Sequence, residues 1–286
     1  MQLHPTVDVE EYAAAATEFL EAEPVSRNVL RGVIDIAREG AVTWTAPASF
    51  WWVTDGEGRT AAAVSWSPPY PLLVSTLPPD IAPALVTSAQ ARASEIGLAV
   101  PGVFGPRPTA ELLAQAWCDA TGATSHEHMA ELLHVLDTAV EPPPVPGRMR
   151  RATEDDVALC TAWLQAFEAE AGVIGSGDRR AVMARVIGGG HVLLWEVDGT
   201  PVCMVGRNRA VAGVVRVGPV YTPPHLRNRG YGRRLTYEVT VELLAMPGVT
   251  QACLYTDVAN PVSNSIYRQI GYRPVEDYVD IRFDAG

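Results

Sequence analysis

The stretch VYTPPHLRNRGYGRRL, Val220 to Leu235, decides how the second half of the chain is interpreted. It joins an apolar run to an amphipathic segment and carries four arginines and two glycines. The start of a helix exposes unpaired N–H groups and a partial positive charge, so an anion is stabilised there. Glycine at positions 230 and 232 lets the backbone approach that anion closely. The stretch therefore predicts one compact anion, such as a phosphate, bound where a helix begins.

The composition narrows the class of phosphate site. All 22 basic residues are arginine, which excludes a Schiff-base lysine and the lysine of a P-loop. Leu235 stands where a dinucleotide fingerprint needs its third glycine, so that fingerprint is excluded as well. Residues 1–147 hold 6 Arg and 18 Asp or Glu, whereas residues 148–286 hold 16 Arg and 15 Asp or Glu. Neither half is strongly basic, which predicts no nucleic-acid partner.

Other classes of protein are disfavoured by simple patterns. No apolar run approaches the roughly 20 residues of a membrane span, and the N-terminus lacks the pattern of a secretory signal. We therefore expect a cytoplasmic protein without membrane contact. The four cysteines are scattered, and His126 and His128 would face each other poorly on a helix. We expect no metal site.

The order of predicted elements occurs twice along the chain. The proline-rich segment EPPPVPGRMR predicts a break, which gives a first domain over 1–140, a linker over 141–149 and a second domain over 150–286. In the second domain Asp198-Gly199 predicts a hairpin, and Gly218-Pro219 predicts a bulge in the next strand. Two helices, a hairpin, a strand, a helix, a strand and a helix follow one another in both halves. This repetition predicts a duplicated α/β fold.

Two motifs in the second domain resemble those of one enzyme superfamily. The run Arg227 to Gly232, RNRGYG, fits the Q/R-x-x-G-x-G/A motif of the GNAT acyl-CoA-dependent N-acyltransferases. The run NPVSNSIYRQIGY from Asn260 resembles the second cofactor motif of that superfamily. The resemblance implies two GNAT-like domains, each a mostly antiparallel twisted sheet flanked by helices, with splayed central strands in the second. The first domain lacks the arginine and glycine turn, so it resembles a degenerate copy with a structural or substrate-shaping role.

The resemblance also implies a ligand and a set of site residues. Acetyl-CoA is expected in the second domain, with the thioester carbonyl polarised by a backbone N–H near Val220. Tyr267 would protonate the departing thiolate, and Asn260 would contact the pantetheine or the carbonyl. The base for the amine is less defined, and of Glu168 and Glu170 we select Glu168. The implied cofactor-binding residues are Val220, Thr222, Arg227, Asn228, Arg229, Gly230, Tyr231, Gly232, Arg233, Asn264 and Arg268.

Helical spacing predicts how the last helix is oriented. Asn260, Asn264, Tyr267 and Arg268 recur at intervals of three or four residues and would form one polar side. The opposite side, which would pack against the core, is predicted to carry Val262, Ile266 and Ile270.

Three activities fit these observations. The first is transfer of an acetyl group from acetyl-CoA to a primary amine of a small molecule by direct attack, in a monomer or homodimer. The second is acetylation of a protein or peptide, in which Trp51-Trp52 or Tyr70 of the acidic first half would form a recognition surface, although we expect these aromatics to pack in the core instead. The third is a catalytically silent acyl-CoA-binding sensor or scaffold.

Overall fold

The chain forms two compact units that differ from the predicted domains. The computed structural model describes residues 1–40, 44–173, 175 and 177–284. One unit consists of Met1–Leu132 with the C-terminal segment from Glu276, and the other of Leu133–Val275. The predicted bounds of 1–140, 141–149 and 150–286 therefore differ from the observed division. The last strand belongs to the first unit, and the predicted linker belongs to the second.

The first unit alternates helices and strands in the predicted order. Its elements are β1 (Gln2–Thr6), α1 (Val9–Ala22), α2 (Asn28–Glu39), β2 (Ser49–Thr54), β3 (Thr60–Trp66), β4 (Leu72–Val74), α3 (Ala82–Ile96), β5 (Gly102–Pro106), α4 (Arg107–Thr121) and most of β6 (Thr124–Leu136). The C-terminal strand, β12 (Arg273–Asp284), completes its sheet by pairing antiparallel with β5, from Tyr278↔Pro106 to Arg282↔Gly102. Val279 and Ile281 of β12 are buried in the same core as α3 and α4. Backbone pairing and apolar burial together explain why this strand belongs to the first unit.

The second unit repeats that order. Its elements are β7 (Arg148–Arg151), α5 (Val157–Ala171), α6 (Arg179–Gly188), β8 (Val192–Val197), β9 (Thr200–Arg207), β10 (Val214–Tyr221), α7 (Tyr231–Leu244), β11 (Gln251–Asp257) and α8 (Pro261–Gln269). The strand order is β11-β10-β9-β8-β7, and β10–β11 is its parallel pair. The end of β6 lies beside β11. The mixed α/β architecture with a mostly antiparallel sheet confirms the predicted fold class.

Local signals in the second unit act as predicted. Asp198 and Gly199 both have positive φ, 49° and 78°, and they join β8 to β9 as a tight hairpin. The β9–β10 register shifts between Val217 and Val220, which is the predicted irregularity at Gly218-Pro219. Strands β1, β6 and β7 lie outside the predicted pattern. In β7, the sequence RMRR carries too little apolar alternation to be recognised as a strand.

Helices cover both faces of the second sheet. Leu193 and Trp195 of β8 pack toward α7, whereas Val192 and Leu194 pack into the cluster that contains residues of α5 and α6. This alternation follows from the two-residue period of a strand. It also places Val220 on the α7 side of β10 and Tyr221 on the α5 side. Side chains from α7 on one face of the sheet and from α5 on the other can therefore both reach the end of β10.

Candidate active site

The two central strands of the second unit separate along their length. β10 and β11 pair at Val214↔Gln251, Val215↔Ala252 and Arg216↔Cys253, and no further pair follows among the described residues. β10 continues to Tyr221 and β11 to Asp257. A strand offers its N–H and C=O groups alternately to its two sides, so those of β10 that face the gap lack strand partners there. Val220, the predicted donor to a thioester carbonyl, lies in this stretch.

The arginine and glycine turn connects β10 to α7. Asn228 and Gly230 both adopt positive φ, 63° and 80°, and α7 begins at the next residue, Tyr231. The helices α6 and α8 begin with the side chains of Asp178 and Asn260 accepting backbone N–H bonds. No side chain caps α7 among the described residues. The start of α7 therefore presents N–H groups of the kind that bind anions.

The two glycines of the turn have different steric surroundings. A Cβ at Gly230 would lie 3.0 Å from Val145 Cγ1, in a left-handed conformation that L-residues rarely adopt. A Cβ at Gly232 would lie 3.4 Å from Thr222 Oγ1 and 3.8 Å from Val220, which is ordinary contact. Glycine is required by backbone geometry only at position 230.

Two of the four arginines of the turn are neutralised within the protein. Arg227 pairs with Glu170 at 2.5 Å, and Arg234 pairs with Glu141 at 3.0 Å and Glu238 at 2.7 Å. Arg227, one of the cofactor-binding residues that the resemblance implies, therefore already has a carboxylate partner. Arg233 donates to the Gln269 side chain, and neither it nor Arg229 has a carboxylate partner among the described residues. Arg229 and Arg233 thus remain for an incoming anion.

Tyr267 lies inside the unit, near the turn. Its side chain is 9% exposed and packs in the core cluster with Tyr231 and Tyr272. Burial, and after it the neighbouring Cys203, raises the pKa of the Tyr267 phenol above its ordinary value. The phenol therefore stays protonated across the neutral range, as a proton donor must.

The predicted faces of α8 are partly wrong. Val262, expected to pack against the core, is 61% exposed, whereas Asn264 and Tyr267, expected on a polar side, are buried. Ile270 is buried as predicted. The buried side chains of Asn264 and Tyr267 therefore determine which side of α8 faces the interior.

Asn264 holds the turn between β11 and α8. Its amide donates to the carbonyl of Asp257 at 3.0 Å, and its Oδ1 accepts from the Thr256 hydroxyl at 2.6 Å. Asn260 caps α8 by accepting the N–H of Ser263 at 3.0 Å. Both side chains therefore have structural partners, and their contacts with a pantetheine stay predictions.

The two candidate carboxylates of α5 have different surroundings. Glu168 is paired with Arg179 at 3.1 Å, and its side chain is 16% exposed. Glu170 is 44% exposed, accepts from the Tyr221 hydroxyl at 3.3 Å and pairs with Arg227. Glu170 therefore contacts both the end of β10 and the turn from Arg227 to Gly232, which we call the phosphate turn after its expected ligand. Glu168 was nevertheless the residue selected from the sequence.

Cys203 and Tyr221 also lie at this site, although the sequence did not mark either of them as a site residue. The Thr222 hydroxyl donates to Cys203 Sγ at 3.2 Å, and the Thr222 carbonyl accepts from Arg227 Nε at 2.9 Å. Tyr221 connects to Glu170, which is 51 residues away in the chain. No local pattern at Cys203 or Tyr221 marks these contacts, because each partner lies on a different element.

A surface pocket of about 470 Å³ runs along α8. Its lining residues are Val258, Pro261, Asn264, Ser265, Arg268 and Gln269. Gln269 also accepts from Arg233 of α7, so the pocket borders the first turn of that helix. Arg268, a predicted cofactor contact, is exposed and forms part of its wall.

Among the described residues of the first unit, the parallel strands β4 and β5 show no comparable opening. A Cβ at Gly105 of β5 would lie 2.7 Å from the Val74 carbonyl oxygen of β4, so the two backbones are in close contact there. The α3 segment that follows β4 carries neither the arginines nor the glycines of the turn. Trp51 and Trp52 are both buried core residues rather than a recognition surface. The first copy is therefore degenerate with respect to the phosphate turn.

His126 and His128 lie on strand β6, not on a helix, so their side chains share one face of it. Within residues 1–40, 44–173, 175 and 177–284, no group of three or more His, Cys, Asp or Glu side chains is arranged to hold a metal ion. No helix in the same ranges has the length and apolar character needed to cross a bilayer.

Several solved structures of GNAT proteins have a similar fold. An acetyltransferase from the GNAT family of Colwellia psychrerythraea is 14% identical, with a TM-score of 0.58 and full coverage of both chains. A GCN5-related N-acetyltransferase from Sphaerobacter thermophilus is 16% identical, with a TM-score of 0.62, over 99% of this chain and 95% of that one. A tandem GNAT protein from the clavulanic acid biosynthesis pathway is 14% identical, with a TM-score of 0.59, over 99% and 98%. The fold is thus a tandem GNAT fold.

A sequence comparison matches part of the second half of the chain to one family model. Residues 208–280 match the family model described as FR47-like protein, a range that includes the phosphate turn and α8. No curated protein matches the chain in sequence. The protein therefore has two copies of the GNAT fold, and part of its second half is similar to the FR47-like family.

Proposed function

We propose that the protein is an N-acetyltransferase that moves an acetyl group from acetyl-CoA to a primary amine of a small molecule. The gap between β10 and β11, which leads to the uncapped start of α7, carries this proposal. N–H groups of the turn, with Arg229 and Arg233, would bind the diphosphate of the cofactor. Acetyl-CoA supplies the acetyl group as a thioester. The polar lining of the gap fits an extended chain with amide groups, since strand groups left unpaired there bind such chains.

The proposed chemistry is direct attack of the amine on the thioester. Burial raises the pKa of Cys203 to about 12, so its thiol remains protonated at neutral pH and is a poor nucleophile. Val220 would donate its N–H to the thioester oxygen, and Tyr267 would protonate the departing sulfur. Glu170 is better placed than Glu168 to accept a proton from the amine, because it reaches the end of β10.

A thiol-release assay with acetyl-CoA and a panel of small amines tests this function. The wild-type protein should release CoA only when an accepted amine is present, and Tyr267→Phe should reduce the rate while leaving CoA binding intact. CoA binding without turnover on any amine would favour the silent sensor or scaffold. Turnover on peptide N-termini or side chains but on no small amine would favour the peptide acetyltransferase.

A further inference from the structure

The proline-rich segment predicted as a linker is folded onto the second unit. We propose that residues 138–147, which we call the strap, position the start of α7 and the end of α8 and thereby set the affinity for the nucleotide end of CoA. The inference rests on the proposed function, because it concerns the same ligand. The strap would then position parts of the binding site, whereas a linker only separates two domains.

The strap first contacts the end of α8. The Val140 N–H donates to the carbonyl of Ile270 at 3.0 Å. Gly271 has φ of 105°, and a Cβ there would lie 2.7 Å from the Thr138 carbonyl oxygen. Only glycine allows so close an approach, so the strap and the end of α8 are fitted to each other.

The strap then crosses the start of α7. Glu141 pairs with Arg234 at 3.0 Å, the carbonyl of Pro142 accepts from the same guanidinium at 3.4 Å, and the Pro142 side chain is buried. Val145 lies against Gly230, the residue of the turn that requires positive φ. Arg234 therefore fastens the strap to α7, which explains why it is not available to an external anion.

The far end of the strap is also fixed. The indole N–H of Trp195 donates to the Pro146 carbonyl at 2.8 Å. Gly147 has φ of 114° and packs against the Glu196 carbonyl and the Trp195 ring. Trp195 is in the core of the unit, so this anchor is rigid. Four prolines in the segment further restrict its backbone.

These contacts connect the two helices that flank the gap. The end of α8 carries Arg268 and Gln269 of the pocket, and the start of α7 carries the phosphate turn. A segment fastened to both ends fixes their separation, and preorganised groups bind a ligand more tightly than mobile ones. The direct hydrogen bond between Arg233 and Gln269 acts in the same direction.

Lengthening the strap tests its role. Two glycines inserted between the exposed Pro143 and Pro144 keep every side chain but allow the two anchors to move relative to each other. Two glycines inserted after Glu57, in the exposed turn between β2 and β3, form the matched control. A second variant, Val145→Ala, removes the contact with Gly230 and leaves the backbone length unchanged. Calorimetric titration measures the affinity of each protein for CoA and for adenosine 3′,5′-bisphosphate, and thermal unfolding is followed in parallel.

The strap insertion is expected to weaken the binding of both ligands about tenfold, and Val145→Ala is expected to weaken it about threefold. The control insertion should bind both ligands with the affinity of the wild type. Equal loss for the two ligands would locate the effect at the nucleotide end. Unchanged affinities with a lowered unfolding temperature would show that the strap is merely structural and would overturn the inference. Absence of CoA binding in the wild type itself would refute the proposed function, and the inference with it.

Discussion

Replacing the two glycines of the phosphate turn one at a time tests the geometry of the site directly. Gly230 has φ of 80° and lies against Val145, so Gly230→Ala must place a Cβ in the left-handed region and move that neighbour. The left-handed conformation costs an L-residue about 1–2 kcal/mol. If the turn relaxes to avoid this strain, the N–H groups of α7 lose their alignment. The expected weakening of CoA binding is about 5- to 30-fold, which is the same free energy expressed as affinity.

Gly232→Ala is the matched control, because its Cβ would point toward Thr222 and Val220 at ordinary contact distances. Alanine in a helix is favoured over glycine by up to about 1 kcal/mol. The variant should therefore bind CoA like the wild type and be at least as stable in urea unfolding. Calorimetric CoA titration of both variants decides the question. Equal losses at positions 230 and 232 would refute the reasoning, because of the two only Gly230 has positive φ, which cannot explain a loss at Gly232.

Four further expectations follow from the same contacts. Tyr267→Phe should lower kcat by about 100-fold at unchanged CoA affinity if the phenol is the proton donor, as steady-state kinetics would show. Glu170→Gln should reduce kcat/KM for the amine at least tenfold, whereas Glu168→Gln should stay near wild type, and the reverse order would restore the residue selected from the sequence. Arg150 donates hydrogen bonds to the Asp156 carboxylate, and this is the main reason that the pKa of Asp156 is lowered from 3.8 to about 2. The stabilisation is present above pH 4 and is lost as the pH falls toward 2. Asp156→Asn should therefore lower the free energy of unfolding, measured with urea, by about 2 kcal/mol at pH 7 but by little at pH 2. Deleting residues 276–286 should abolish hydrogen-exchange protection in β5 and spare β11, whereas equal loss in both strands would contradict the division into units.

Local signals were sufficient wherever the interacting atoms lie a few residues apart. The hairpin at Asp198-Gly199 and the cap of α8 at Asn260 follow from turn and cap preferences. The uncapped glycine turn before α7 is equally local, since its N–H groups belong to consecutive residues. These features identified the fold class and its duplication, and they place the predicted anion site before α7.

Longer-range features depended on which elements pack together. The orientation of α8 was predicted from polarity, yet Asn264 and Tyr267 are buried because Thr256 and the core around Cys203 receive them. The choice between Glu168 and Glu170 required knowing that Arg179 pairs with one and Arg227 with the other. Helical spacing gives the direction of a side chain but not the identity of its partner.

The sequence by itself determined that the chain contains two copies of one fold and that an arginine and glycine turn precedes a helix of the second copy. Those conclusions need only periodicity, caps and glycine positions, which are properties of neighbouring residues. Tertiary structure alone decided that the C-terminal strand completes the first sheet and that the proline-rich segment lies across the phosphate turn. The physical reason is that strand pairing and side-chain packing join residues far apart in the chain, where many partners satisfy the same local pattern and only the folded backbone selects one.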